Sequence, residues 1–171
     1  RLSGVSSVVP IPVPQEGEES REFLPHFSAR TKLLQQAINQ VHYNSKTILK
    51  LKDKHKEATL NEKEKEISEE ITKLIDQSNV ISKTVADQLA TMKDDVEQSQ
   101  KNEPDEPETR MKNISHAALS NKFSEMLKES QAAQLEFKTA VKDKLARQAK
   151  IYDNSLSPEE LDNIVNDPEG M

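Results

Sequence analysis

Apolar side chains recur along this chain at alternating steps of three and four residues, in three long stretches that are free of glycine and almost free of proline. This spacing places the apolar side chains on one face of an α-helix. It therefore predicts helices at about residues 21–56, 62–100 and 109–152. The segment 101–109, KNEPDEPET, is acidic and carries two prolines, so we expect a loop between the second and third helices.

Each predicted helix carries a first row of mostly apolar residues, and these rows are expected to meet in the core. They are Phe27, Thr31, Leu34, Ile38, Val41, Ser45 and Ile48 in the first helix; Ile67, Ile71, Leu74, Ser78, Ile81, Val85, Gln88 and Met92 in the second; and His116, Ser120, Phe123, Leu127, Gln134, Phe137, Val141 and Gln148 in the third. Because only a few residues join the first two helices, these must be antiparallel neighbours. The predicted fold class is all-α, an antiparallel up-down-up three-helix bundle, left-handed.

The second and third helices also carry a second apolar row beside the first. It consists of Ile75, Leu89 and Val96 on the second helix and of Leu119, Met126, Ala133 and Ala140 on the third. The apolar face of these two helices is therefore broader than a single packing row requires. Such breadth has three explanations: a thicker core, a homodimer contact, or a groove that receives a fourth helix.

Residues 1–20 alternate proline with isoleucine and valine and then become acidic. Three prolines within five residues prevent a helix, so we expect a disordered leader ahead of the bundle, which spans residues 21–153.

The helical pattern restarts in the linker, residues 154–171, with a short helix at about 158–165. Ser157 and Glu160 have the spacing of a capping box, and Pro158 suits the first helical position. The small apolar face of this helix consists of Leu161, Ile164 and Val165. A helix of about two turns is unstable alone in water, so this face is expected to pack against something.

Charged residues make up 32% of the chain and apolar residues 33%, which suits long helices with narrow buried stripes. The net charge of −6 disfavours binding to nucleic acid or to anionic lipid. No apolar run approaches the roughly 20 residues that span a bilayer. We therefore expect protein partners, no nucleic acid and no direct membrane contact. The absence of cysteine is compatible with the cytosol.

No arrangement of residues predicts catalysis, a cofactor site or a metal site. The four histidines lie on different elements without ligand spacing, so we expect them to be exposed or to pack between helices. They are His26, His42, His55 and His116. The many carboxylates are expected to form solvated helix faces, and no glycine-rich phosphate loop occurs.

A longer motif occupies the third helix. It contains Arg110, the run HAALSNKF at 116–123, Glu125, Met126, Gln134, Lys142, Arg147, Gln148 and Ile151. These residues closely resemble the third helix of the syntaxin N-terminal domain, the Habc domain. Residues 158–165, PEELDNIV, resemble the acidic linker helix that follows this domain in plasma-membrane syntaxins. The first two helices resemble the family in length, order and connection.

The resemblance implies a regulatory domain of a syntaxin-type SNARE that takes part in vesicle docking and exocytosis. In this family the bundle is joined to a fusion-driving SNARE helix and a membrane anchor, and it can fold back on the SNARE helix in a closed state. The implied partners are the SNARE helix of the same parent chain, a Sec1-family regulator and, through the parent, other SNARE proteins. The implied location is the cytosolic face of a membrane, the plasma membrane in this type.

The expected groove for the SNARE helix lies on the second row. Its residues would be Ile75, Leu89, Val96, Leu119, Met126, Ala133 and Ala140. The contacts expected to hold the closed state from the linker are Leu161 and Asp162, by the resemblance, with Ile164 and Val165. The alternative is a generic three-helix scaffold or adaptor of spectrin-repeat type, without an autoinhibitory role.

Overall fold

The computed structural model describes residues 25–59 and 61–166, which form three long helices and one short helix with short connections between them. The helices are α1 (Pro25–Glu57), α2 (Asn61–Asn102), α3 (Pro107–Tyr152) and α4 (Pro158–Asn166). No strand occurs within these two ranges. The predicted all-α three-helix bundle is confirmed. The predicted leader, residues 1–20, lies outside the described residues.

Ion pairs between the helices give their directions. Arg30, near the start of α1, contacts Asp95, near the end of α2, with 2.6 Å between Nη1 and Oδ2. Lys144, near the end of α3, contacts Glu64, near the start of α2, with 2.8 Å between Nζ and Oε2. Both pairs of neighbours are therefore antiparallel, and α1 runs parallel to α3.

The loop between α2 and α3 is shorter than the sequence predicts. The prediction placed it at residues 101–109, whereas α2 continues to Asn102 and α3 begins at Pro107. Proline lacks only an N–H that the first helical turn leaves unpaired, so Pro107 starts α3 rather than interrupting it. The preceding Glu106 has the extended backbone, φ −67° and ψ 135°, that a following proline favours. Only residues 103–106 connect the two helices.

The buried side chains form two apolar clusters. The first cluster consists of Leu34, Ile38, Val41, Val85, Leu89, Met92, Leu119 and Met126. The second cluster consists of Ile48, Leu51, Ile67, Ile71 and Ala133. The first row predicted for α1 is therefore confirmed from Leu34 to Ile48. On α2 most of the predicted first row is buried, but Gln88 is exposed.

A polar layer separates the two clusters along the bundle. It consists of the buried residues Asn44, Ser45, Ser78 and Ser130. Asn44 Nδ2 donates to Ser78 Oγ at 3.1 Å, and Ser78 Oγ donates to the carbonyl of Leu74 at 2.7 Å. Ser45 Oγ donates to the carbonyl of Val41 at 2.8 Å. Because these groups have partners, the layer crosses the core without leaving an amide or hydroxyl unpaired.

Candidate partner-helix groove

A groove follows the line between α2 and α3. Both of these helices pack closely along α1 but contact each other less extensively. Between them lies a cavity of about 490 Å³ beside the second cluster. Its lining consists of Ile75, Gln134, Leu135, Phe137, Lys138, Val141 and Lys142. We call this cavity the lower groove. Its surface is almost entirely apolar, with two lysines at its edge.

The residues that the sequence assigned to the groove are mostly inside the bundle. Of the seven, only Ile75 remains half-buried at the surface and lines the lower groove. The other six are buried, namely Leu89, Val96, Leu119, Met126, Ala133 and Ala140. A side chain enclosed between the bundle's own helices cannot contact a partner. The prediction of a second row on the surface was therefore wrong for these six residues.

The first row predicted for α3 takes their place. Phe123, Leu127, Gln134, Phe137 and Val141 are all half-buried, on the side of α3 that faces the groove. The physical reason is size: the small side chains of Ala133 and Ala140 let α3 approach the core closely. The two phenylalanines are then left at the margin. Periodicity identified both rows of α3 correctly, but the prediction of which row faces the core and which faces the groove was wrong.

On the opposite side of α3, polar side chains bridge α3 to α1. Lys52 Nζ donates to Glu136 Oε2 at 2.6 Å, and this hydrogen bond is the main reason why the pKa of Lys52 is raised. His42 Nδ1 lies 2.5 Å from Glu129 Oε2. The α1–α3 side therefore offers charged, paired groups, whereas the α2–α3 side offers apolar surface.

A second cavity of about 490 Å³ lies near the start of α1 and has a different character. Its lining is mostly polar, and it includes the ion pair between Arg30 and Asp95 as well as Lys112. An apolar helix face would have to displace these charged groups to enter. The lower groove is therefore the better candidate for a helical partner.

A buried polar cluster closes the bundle next to the lower groove. Lys144 is only 9% exposed, and its Nζ donates to the carbonyls of His55 and Ala58, each at 3.0 Å. The same ammonium contacts Glu64 at 2.8 Å. One lysine of α3 thus satisfies carbonyls at the end of α1 and in the α1–α2 connection, and it neutralises a carboxylate of α2.

The ring of His55 is enclosed in the same cluster and is only 2% exposed. Burial is the main reason why its pKa is lowered, and the charge of Lys144 adds to this, against the opposing effect of Glu64. Nε2 lies 3.5 Å from Glu64 Oε1, while Nδ1 has no hydrogen-bond partner. The histidines were expected either to be exposed or to pack between helices, and His55 packs between helices.

Comparison with known proteins agrees with this geometry. The Syntaxin family matches residues 21–170, which is most of the chain. The chain belongs to the syntaxin family. Its bundle is the Habc domain of a syntaxin, which is a regulatory domain of a SNARE protein. The proteins of this family are structural proteins rather than enzymes.

A solved structure shows the same fold. It is a chain of the Unc18–syntaxin 1 complex from Monosiga brevicollis, with a TM-score of 0.73 and 18% sequence identity. The alignment covers 84% of this syntaxin and 67% of that chain. At this identity the likeness concerns the arrangement of the helices.

The linker helix α4 of this syntaxin packs against α3. Its predicted capping box is present: Ser157 N donates to Glu160 Oε2 at 2.8 Å, and Glu160 N donates to Ser157 Oγ at 3.3 Å. The bond from Ser157 N to the carboxylate, together with a second from Ser157 Oγ at 2.8 Å, lowers the pKa of Glu160. Leu161 is buried, whereas Asp162 and Ile164 are exposed.

The side chain of Val165 lies outside the described residues. Among the described side chains of α4, Leu161 is the one buried against the bundle.

Two further features are absent from the described part of this syntaxin. None of the helices within residues 25–59 and 61–166 is long and apolar enough to cross a membrane. Across the same two ranges, no group of three or more histidine, aspartate or glutamate side chains could hold a metal ion.

Proposed function

We propose that this Habc domain restrains fusion-complex assembly by receiving the SNARE helix of its own parent chain in the groove between α2 and α3. A Sec1-family regulator then binds the resulting closed arrangement. The single observation that carries this proposal is the open apolar surface of the lower groove, between helices that are each packed firmly against α1 but less firmly against each other.

The groove suits an amphipathic helix. Ile75, Phe137 and Val141 form an apolar floor, and Lys138 lies at the edge. A helix entering it would bury an apolar stripe on the floor and could place acidic side chains near the lysine. Because the floor exists before any partner arrives, binding does not require the bundle to rearrange.

Closure of this kind needs only modest intrinsic affinity. A helix tethered by a short linker experiences an effective concentration of about 1 mM, so a groove with a Kd of about 10 μM would be occupied about 99% of the time. A partner that binds the open state better by a few kcal/mol could reverse this closure. The proposed domain is therefore a reversible restraint.

The linker helix is proposed to support the closed state. Leu161 already packs on the bundle through α4, and Asp162 and Ile164 are exposed beside it. We propose that Leu161 holds α4 on the bundle, and that Asp162, Ile164 and Val165 contact the returning SNARE helix or the Sec1-family regulator. The membrane anchor, the plasma membrane as location and a role in exocytosis are proposed from the family resemblance.

Binding of a synthetic peptide that carries a syntaxin SNARE motif tests the proposal. With residues 1–171 labelled with ¹⁵N, we expect chemical-shift changes centred on Ile75, Phe137 and Val141. Leu135→Asp should weaken binding about five- to tenfold, because it places a charge on the apolar lining. Val80→Asp is the matched control, since Val80 is 67% exposed and Leu135 is 65% exposed. It should change the Kd less than twofold.

The opposite result is equally clear. If the peptide at high micromolar concentration shifts no resonance of α2 or α3, the bundle does not receive a SNARE helix. It would then be a scaffold of the spectrin-repeat kind. Equal loss of affinity in Leu135→Asp and Val80→Asp would place the binding surface away from the lower groove.

A further inference from the structure

Phe137 joins the lower groove to the interior of the bundle. It lines the groove on one side, and it packs against the second cluster on the other. There its ring meets the ring of His55 edge to face, with 5.6 Å between centroids and an interplanar angle of 85°. The position of one groove residue therefore depends on a buried imidazole.

The surroundings of His55 are balanced in charge only while the ring is neutral. From α2, Glu64 faces the ring, and from α3 the ammonium of Lys144 contacts the same carboxylate. On α1 itself, the neighbouring Lys54 and Lys56 are exposed. One carboxylate and one ammonium already compensate each other. A proton added to the ring would leave a net positive charge in a buried site, beside a second cation.

We propose that His55 makes the lower groove sensitive to acid, so that a partner helix binds tightly when the ring is neutral and more weakly once it is protonated. This inference rests on the proposed function. The charged ring gains by moving towards solvent, and this movement removes its contact with Phe137. Phe137 then loses one of its supports, and the apolar floor is no longer preformed for the partner.

The direction of the effect follows from the burial of the ring. Burial and the charge of Lys144 lower the pKa of His55, so the folded bundle favours the neutral ring. The packed arrangement is fully populated above the ordinary histidine pKa of about 6.5, and it is lost as the pH falls further, through the lowered pKa of His55 in the folded bundle. Acid therefore disrupts the packing of His55 on Phe137, and a return to neutral pH restores it.

Two measurements on residues 1–171 test the inference. The first follows the NMR signals of the His55 and Phe137 rings from pH 7.5 to 5.5 without any partner, and the Phe137 signals should move together with the protonation of His55. The second measures the Kd of the synthetic SNARE-motif peptide at both pH values. We expect the Kd to rise about fivefold in acid.

His55→Phe keeps an aromatic ring beside Phe137 but cannot be protonated, so its Kd should change less than 1.5-fold over the same pH range. His55→Gln is a second variant without a titrating ring, should the phenylalanine not fit. His42→Phe is the matched control, because His42 is on the same helix but pairs with Glu129 on the α1–α3 side. It should retain the fivefold effect.

The possible failures are distinguishable. No binding at pH 7.5 overturns the proposed function, and the coupling of Phe137 to His55 is then judged by the ring signals alone. A wild-type Kd that is equal at both pH values overturns the acid effect. So does an undiminished effect in the His55 variants, or a set of Phe137 signals that ignores the protonation of His55.

Discussion

The two halves of this bundle are held together by different means. Around the first cluster, all three helices contribute large aliphatic or methionine side chains, and α3 supplies Leu119 and Met126. Around the second cluster, the one fully buried apolar side chain from α3 is the small Ala133, with Phe137 half-buried beside it, and the end of the bundle is completed by Lys144 and its polar partners. Where α3 contributes little buried apolar volume, hydrogen bonds and a buried ion pair hold it to α1 and α2.

This difference explains where the groove lies. Large side chains from α3 reach deep between α1 and α2 at the first cluster. Beside the second cluster the large side chains of α3 are Phe137 and Val141, which lie at its margin towards α2. The apolar surface that is not buried in the core is therefore concentrated around the second cluster, the half of the bundle that polar groups hold together.

The largest expected loss of stability comes from removing the polar contacts of Lys144 beside the second cluster. Lys144→Ala leaves the Glu64 carboxylate and two carbonyls without their donor, so it should lower the free energy of unfolding by about 3 kcal/mol in urea titrations. Glu64→Ala added to it should cost less than the sum of the two single variants, by about 1–2 kcal/mol. Strictly additive losses would mean that the pair contributes no coupling.

Removing the polar layer should have a smaller effect. Asn44→Ala deletes a buried amide and leaves a small cavity, so we expect a loss of about 1–2 kcal/mol in the free energy of unfolding. Asn44→Val combined with Ser78→Ala removes both hydrogen-bonding partners at nearly constant volume. It should restore most of the lost free energy of unfolding. If the double variant is less stable than Asn44→Ala, the layer contributes more than its hydrogen bonds.

The smallest effect is expected at the linker helix, which belongs to neither cluster. Ser157→Ala removes the cap of α4, and its helical population, measured by ¹³Cα shifts of residues 158–166, should fall several-fold. Thermal unfolding of the bundle should stay within about 1 °C of the wild type. Ser155→Ala is the control, because Ser155 donates to Asp153 and takes no part in the capping box. A lowered midpoint in Ser157→Ala alone would show that α4 stabilises the whole bundle.

The comparison of the halves also shows how far the sequence could predict the fold. The row from Leu34 to Ile48 was correct because α1 contacts both other helices and has one unambiguous buried face. On α3, Phe137 was assigned to the core row and Ala133 to the groove row. In the structure Ala133 is buried and Phe137 is half-buried at the margin, since close approach of the helices favours the small residue. Periodicity gives the rows, but the positions of the neighbouring helices decide which row is enclosed.

Candidate site residues were predicted less well for the same reason. Ile75 was identified by its spacing from Leu89 and Val96 at multiples of seven residues, although those two side chains are themselves enclosed in the bundle. The cluster around Lys144 had no signal in the sequence, since a lysine in a charged chain is usually exposed. Only the parallel arrangement of α1 and α3 brings this ammonium to the carbonyl of His55. A spacing rule within one helix cannot predict such a contact.

The amide of Asn44 has one further consequence. It meets Ser78 at a single axial alignment of α1 and α2. A slip of either helix by one turn, about 5.4 Å, would move that amide among aliphatic side chains and strand it without a partner. Purely apolar rows tolerate such sliding, since one leucine resembles the next. A few buried polar atoms thus exclude the misaligned alternatives and hold α1 and α2 in one alignment, against which α3 packs.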